Sequence, residues 1–153
     1  MRSFWIVVSV IVSFFVLSCE KYEDGVPDRS VRAAFDTMYP KAMNVEWELE
    51  NFYWKVSFDI VVGLKRTEHE AWYESDGTWV KTVTEMPWSS VPQIIKDYLA
   101  SSIYGEDVID DNEVEYIVTP TEKYYRIEIL HGGIEVNVKV TEDGKVGIAG
   151  IDR

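Results

Sequence analysis

The chain has 153 residues, of which 46% are hydrophobic and 14% aromatic, and its formal net charge is −12. That hydrophobic content supports a packed core and excludes a disordered chain. The acidic balance disfavours nucleic acid or anionic lipid as a partner, since both require basic patches, and leaves the N-terminal segment as the only expected membrane contact; a basic protein partner remains compatible with it.

The N-terminus is the most informative segment. Arg2 supplies a positive region, and Phe4 to Leu17 form an apolar stretch interrupted only by Ser9 and Ser13. A bilayer-spanning helix needs roughly 20 apolar residues, so this stretch is short for a span and has the build of a secretory signal peptide. It stops at the single cysteine, Cys19. Val16-Leu17-Ser18-Cys19 resembles the lipobox of bacterial lipoproteins, and the resemblance implies lipidation of Cys19 as the mature N-terminus. Removing the first 18 of the 153 residues leaves a mature chain of 135, enough for one medium domain or two small fused units. With Cys19 acylated no thiol remains, which excludes a disulfide, a thiolate nucleophile and a cysteine-ligated metal.

Residues 19–27 read as a lipid-anchored tether, polar and without periodicity from Glu20 onward. Lys21, Glu23 and Asp24 resemble the acidic surface-export tag of Bacteroidetes lipoproteins. A helix begins at Asp28 or Ser30, either of which can cap it. Val31, Ala34, Phe35 and Met38 fall on one helical face, and Pro40 ends it. Val45, Trp47 and Leu49 alternate with Glu46 and Glu48 as a strand, and Glu50-Asn51 turns the chain. Phe52, Trp54, Val56, Phe58 and Ile60 then alternate with Tyr53, Lys55, Ser57 and Asp59, which predicts a strand with one apolar face. Thr67 to Tyr73 and Thr78 to Thr84 are two further strands joined by a hairpin turn at Ser75-Asp76-Gly77.

The pattern then restarts. Pro87 breaks the chain, Ser89 or Ser90 caps, and Val91, Ile94, Ile95, Tyr98 and Leu99 form a second helical stripe, with Ile103 near its end and Gly105 stopping it. Strands follow around Val114 to Val118, Tyr124 to Ile129, Ile134 to Val140 and Val146 to Ile151, the last pair joined through Glu142-Asp143-Gly144-Lys145. The expected fold is therefore α+β. Two tandem helix-plus-four-strand units, residues 28–86 and 87–153, form one open-faced antiparallel sheet with the helices on one face.

The helix running into Tyr39-Pro40, the strand Tyr53-Trp54-Lys55-Val56 and the turn Asp76-Gly77-Thr78-Trp79 resemble the PepSY-like, beta-lactamase-inhibitor-like family of Bacteroidetes secreted proteins. Altered copies recur as Tyr104-Gly105, Tyr124-Tyr125-Arg126-Ile127 and Asp143-Gly144-Lys145, so the resemblance covers residues 28–153. It implies a tandem α+β fold with one sheet face left open, and binding or inhibition by fold analogy. The second copy departs from the pattern in lacking a Trp after Asp143-Gly144.

Enzyme chemistry finds little support. Glu68-His69-Glu70 sits on a strand, where Glu68 and Glu70 share a side and His69 faces away, so a metal would need His131 or other carboxylates brought in from elsewhere, and a solvated strand face is expected. The run from Asp107 to Glu113 lacks the spacing and glycine of a calcium loop and reads as a solvated loop. Glu46 and Glu48 share a strand face without an apolar pocket to raise either pKa. No G-x-S-x-G, G-x-G-x-x-G or P-loop motif occurs. These residues imply no catalytic site, metal or cofactor.

Aromatic side chains are the remaining signal. Phe52, Trp54, Phe58 and Tyr125 are expected in the core. Tyr53 and Tyr124 lie on the opposite strand faces, and with Trp72 and Trp79, whose faces alternation does not decide, they are the candidate exposed binding aromatics. The leading reading is a non-enzymatic binding protein, lipid-anchored to the outer membrane on its periplasmic or outer surface. It binds or inhibits a protein or peptide through the open sheet face. A carbohydrate-binding accessory of a surface glycan system and an envelope assembly lipoprotein are the alternatives.

Overall fold

A computed structural model describes residues 21–22 and 25–150 of the chain. Cys19 and the signal segment lie outside the described residues, and so does the end of the last expected strand. The elements in chain order are β1 (Lys21–Tyr22), α1 (Arg29–Met38), β2 (Met43–Glu50), β3 (Tyr53–Val62), β4 (Lys65–Tyr73) and β5 (Trp79–Pro87). A short 3-10 turn (Trp88–Ser90) leads to α2 (Gln93–Ala100). The chain continues through β6 (Val108–Val118), β7 (Lys123–His131), β8 (Ile134–Thr141) and β9 (Val146–Ile148). The nine strands form one sheet in strictly sequential order. From β2 to β9 every neighbour is antiparallel, whereas β1 pairs parallel to β2, with Lys21 opposite Glu46 and Tyr22 opposite Trp47. Part of the expected tether is thus paired to the sheet edge.

Each helix closes its own core. Val31 and Phe35, one turn apart on α1, are buried with Val45, Trp47, Val56, Phe58, Ala71 and Tyr73. Val91, Ile95 and Leu99 of the second helical region are buried with Val114, Tyr125, Ile127, Ile129, Val138 and Val140. Strand register links the two sets, because directly opposed residues share a sheet face. Trp47 opposes Val56, which opposes Ala71, which opposes Thr82. Thr82 and Met86 lie on one face of β5, and Met86 opposes Val114, which opposes Ile127 and then Val138.

Three expectations need correction here. Phe52 does not open a strand. Asn51 and Phe52 form the two-residue turn between β2 and β3, with φ of 48° and 73°, and Phe52 is 92% exposed. A tight hairpin takes positive φ at both central residues to match strand twist, and this requirement overrides the alternation that suggested a core position. The acidic run is also not a free loop. Pairing of Val108 with Leu130 and of Ile109 with Ile129 draws it into β6. The register then jumps to Val114 opposite Ile127, so residues 110–113 bulge against a single residue of β7. Finally, α2 ends at Ala100, which leaves Ile103 outside the helix and 80% exposed.

The turn supplies a testable consequence. A phenylalanine in the left-handed region costs about 1–2 kcal/mol, whereas glycine adopts it freely. Phe52→Gly creates Asn-Gly, a preferred pair for this turn, and is expected to raise the unfolding free energy by about 1 kcal/mol in urea titration. A loss of stability instead would show that the exposed ring has a structural contact.

Candidate binding surface

The sheet face away from the two helix-backed clusters carries a smaller apolar cluster of its own. Val83, Ile117 and Tyr124 are buried, and Trp72 packs against them half-buried. Val83 opposes Ile117 and Ile117 opposes Tyr124, so three adjacent strands hold them in one row. Trp72 stands on the neighbouring strand, opposite Lys55 on one side and Lys81 on the other.

Charged side chains frame this row. The Lys81 ammonium lies 4.6 Å from the centroid of the Trp72 ring, and Lys139 lies 4.1 Å from that of Tyr124. Both are within cation–π reach. Lys55 is paired with Glu48, sits 3.2 Å from Glu70 and has a side chain only 17% exposed. Burial alone lowers the Lys55 pKa, but the two carboxylates more than reverse this and hold it above the ordinary lysine value. Arg126 pairs with Glu115, and Lys139 with Glu122 at 2.6 Å.

The four candidate aromatics do not form one patch. Trp72 and Tyr124 converge on the cluster just described. Tyr53 lies on the same strand face as Lys55, two residues away at the start of β3, and is half-buried. Two assignments are corrected. Tyr124 is only 6% exposed, because Lys139 covers its ring and the cluster closes around it. Trp79 lies on the other face. A register shift beside Tyr73 turns it toward the α1 core, where its indole N–H donates to Thr82 Oγ1 at 2.9 Å. Tyr39 meets the same hydroxyl at 2.5 Å. Phe52 is the aromatic that sequence reading missed as a surface group. The Glu50-Asn51 turn signal, extended by one residue, was the clue.

The remaining sequence candidates fall apart as chemistry. His69 lies on the face of Phe58, stacked on it at 5.4 Å, with Nδ1 2.8 Å from Thr84 Oγ1, while Glu68 and Glu70 take the opposite face. Among the described residues no group of three His, Cys, Asp or Glu side chains is placed to hold a metal ion. Asp107 pairs with His131 at 2.6 Å.

Two of these groups set a pH dependence. Burial lowers the His69 pKa, and the opposing pull of Asp59 does not restore it. Burial raises that of Asp59, but hydrogen bonds from Arg66 and Asn44 outweigh it and bring the net value down. Depressed folded values mean that in both cases the unfolded state binds protons first. The His69 contribution is complete above its unfolded pKa near 6.5 and is lost as pH falls toward its lower folded value. The Asp59 contribution is complete above the ordinary aspartate value of 3.8 and is lost as pH falls through its lower folded value. The urea midpoint is therefore expected to fall in two acid stages, and His69→Gln is expected to remove the upper one. A midpoint that is flat from pH 7 to 5 would contradict this.

Strands β2 to β9, an open antiparallel sheet of eight strands with two helices and a framed aromatic row, make this a mixed α/β protein. The family profile described as "Putative beta-lactamase-inhibitor-like, PepSY-like" matches residues 56–147, and the chain belongs to that family. Among solved structures it is similar to a BLIP-like protein from Bacteroides fragilis NCTC 9343 (22% identity, TM-score 0.71, covering 85% of this chain and 90% of that one). It is also similar to a DUF2874 family protein from Bacteroides ovatus ATCC 8483 (20% identity, TM-score 0.68, 82% and 89% covered). A structure from Bacteroides eggerthii DSM 20697 described as "putative periplasmic proteins" is 22% identical, with a TM-score of 0.64 and 80% and 86% covered. No curated protein matches. Among the described residues no helix is long and apolar enough to cross a membrane.

Proposed function

We propose that this chain is a non-enzymatic binding protein of the cell envelope, lipid-anchored through Cys19, that grips a protein or peptide on its open sheet face. In this reading the chain is two tandem units, 28–86 and 87–153, whose helices cover one face of a shared sheet. The register linking Trp47 to Thr82 across β2–β5, and Met86 to Val138 across β5–β8, supports the shared face.

The observation that carries the proposal is Trp72. A half-buried indole seated on Val83, Ile117 and Tyr124, with lysines on both neighbouring strands, is a rigid amphipathic anchor of the kind that dominates protein interfaces. The glycan alternative requires free ring faces for stacking, and the lysines over Trp72 and Tyr124 already occupy such faces.

The test is crosslinking of the full chain in intact envelopes. Trp72→Ala is expected to weaken the principal crosslink at least about tenfold, as loss of an interface anchor does. Trp79→Ala, on the helix-backed face, is expected to leave it in place. Identical crosslinks from wild type and Trp72→Ala would sink the open-face reading.

A further inference from the structure

The β3–β4 hairpin ends in an apolar tip. Val61, Val62 and Leu64 are 43%, 74% and 105% exposed, and Lys65 and Arg66 follow directly. Three apolar side chains, interrupted only by Gly63, are thus held in solvent at one hairpin tip. The tip is also braced. Asp59, at its root and only 3% exposed, accepts a hydrogen bond from Asn44 at 2.6 Å and pairs with Arg66 at 2.6 Å.

The position of the tip relative to the N-terminus is decisive. β1 runs parallel to β2, so the chain reaches Lys21 from the sheet end where β2 starts, which is the end where β3 finishes. Lys21 is level with Glu46 and hence with Ser57. From Ser57 to Val62 the strand climbs five residues, roughly 16 Å at strand rise. Cys19, two residues before Lys21, reaches at most about 7 Å in that direction. The tip therefore extends roughly 9 Å beyond the furthest level Cys19 attains, two strand spacings to the side.

We infer that the Val61–Leu64 hairpin tip is a second membrane contact, inserted into the lipid interface beside the acylated Cys19. The inference rests on the lipid-anchor reading above. With Cys19 held at the bilayer surface, an upright sheet drives this tip about 5–10 Å into the headgroup and acyl boundary, the depth at which interfacial apolar groups reside. Lys65, directly opposite Val62, has a stem long enough to reach back from the tip to the phosphates, where its cation is attracted to anionic lipid. The overall acidity of the chain keeps the rest of the molecule off the surface. A second hairpin at this end exposes Leu130 and Ile134, but Glu128 and Glu135 lie beside them, so the seat belongs to the β3–β4 tip. Lipid chains alone fix distance from the membrane; a second contact also fixes tilt. Phe52 and Tyr53, at the opposite end of β3, are then directed away from the bilayer.

The experiment uses the full chain, processed in cells, purified from envelopes and reconstituted into vesicles of phosphatidylethanolamine and phosphatidylglycerol. An environment-sensitive fluorophore is attached at Leu64→Cys or, separately, at Phe52→Cys; both sites are almost fully exposed, so folding is preserved. The expected result is a blue-shifted Leu64 label quenched by shallow spin-labelled lipid, with a water-like Phe52 label. A water-like Leu64 label on protein that survives a carbonate wash overturns the membrane seat and leaves the anchor standing. Protein that washes off overturns both. Blue shifts at both positions, or a Leu64 shift seen only when envelope proteins are present, also overturn the seat, in favour of a flat-lying sheet or a protein partner respectively.

Discussion

Phe35→Ala is expected to lower the unfolding free energy by about 4 kcal/mol, within the range for removing a buried phenylalanine. The ring is 2% exposed and stands at the centre of the α1 core. Its centroid lies 5.3 Å from Trp47, 5.1 Å from Phe58 and 6.4 Å from Tyr73, all edge-on, and 5.6 Å from Tyr39 in a tilted arrangement. Edge-to-face pairs add to the area term, and rigid aromatic neighbours on three strands leave little scope for the cavity to collapse. Urea unfolding is expected to show a lower midpoint with an unchanged slope. It should remain one transition, because six residues of β5, Thr82–Pro87, are paired with β6 and tie the two cores into one sheet. A cost below about 1 kcal/mol would mean that this aromatic nest does not hold the fold together.

Gly105→Ala is expected to be nearly as damaging, at about 3 kcal/mol, although it adds only a methyl group. A Cβ at this position would lie 2.1 Å from the carbonyl oxygen of Ala100, which is backbone and cannot rotate aside. The segment after α2 closes here through Ser101 N–H to Asp97 O, Ser102 N–H to Leu99 O and Gly105 N–H to Ser102 O. Relief of the clash must displace Tyr104, which is 8% exposed, packs in the α2 core and meets the His131 ring at 5.4 Å. Gly147→Ala is the control, since nothing lies within 4 Å of its Cβ position. It should stay within about 0.5 kcal/mol of wild type. Equal effects from the two substitutions would refute the close-approach argument.

The sequence was legible wherever periodicity reflected burial. The spacing of Val31 and Phe35 marked α1, and alternation through Val56 and Phe58 marked the buried side of β3. Alternation also placed His69 on the face opposite Glu68 and Glu70. Reading failed where one residue of register decided the outcome. Phe52 fits the strand period, yet hairpin geometry claims it. Trp79 sits beside a register shift that alternation cannot reveal. Tyr124 was assigned to its face correctly, but its exposure depended on the lysine of a neighbouring strand. The apolar tip at Val61–Leu64 was hidden because a strand exit of three aliphatic residues looks the same in sequence whether it is covered or bare.

The strictly sequential strand order has a kinetic consequence. Each strand from β2 to β9 pairs only with its predecessor and successor in the chain, with no strand inserted from a distance. Most loops that must close are therefore short, and the entropy lost before each pairing is small. The two long connections, through α1 and through α2, each bring a helical nucleus. Pairing between chain neighbours folds faster than a sheet that needs strands inserted from a distance. A chain released from its N-terminus onward can lay down each strand on one already in place, so little bare sheet edge waits for the last residues to arrive.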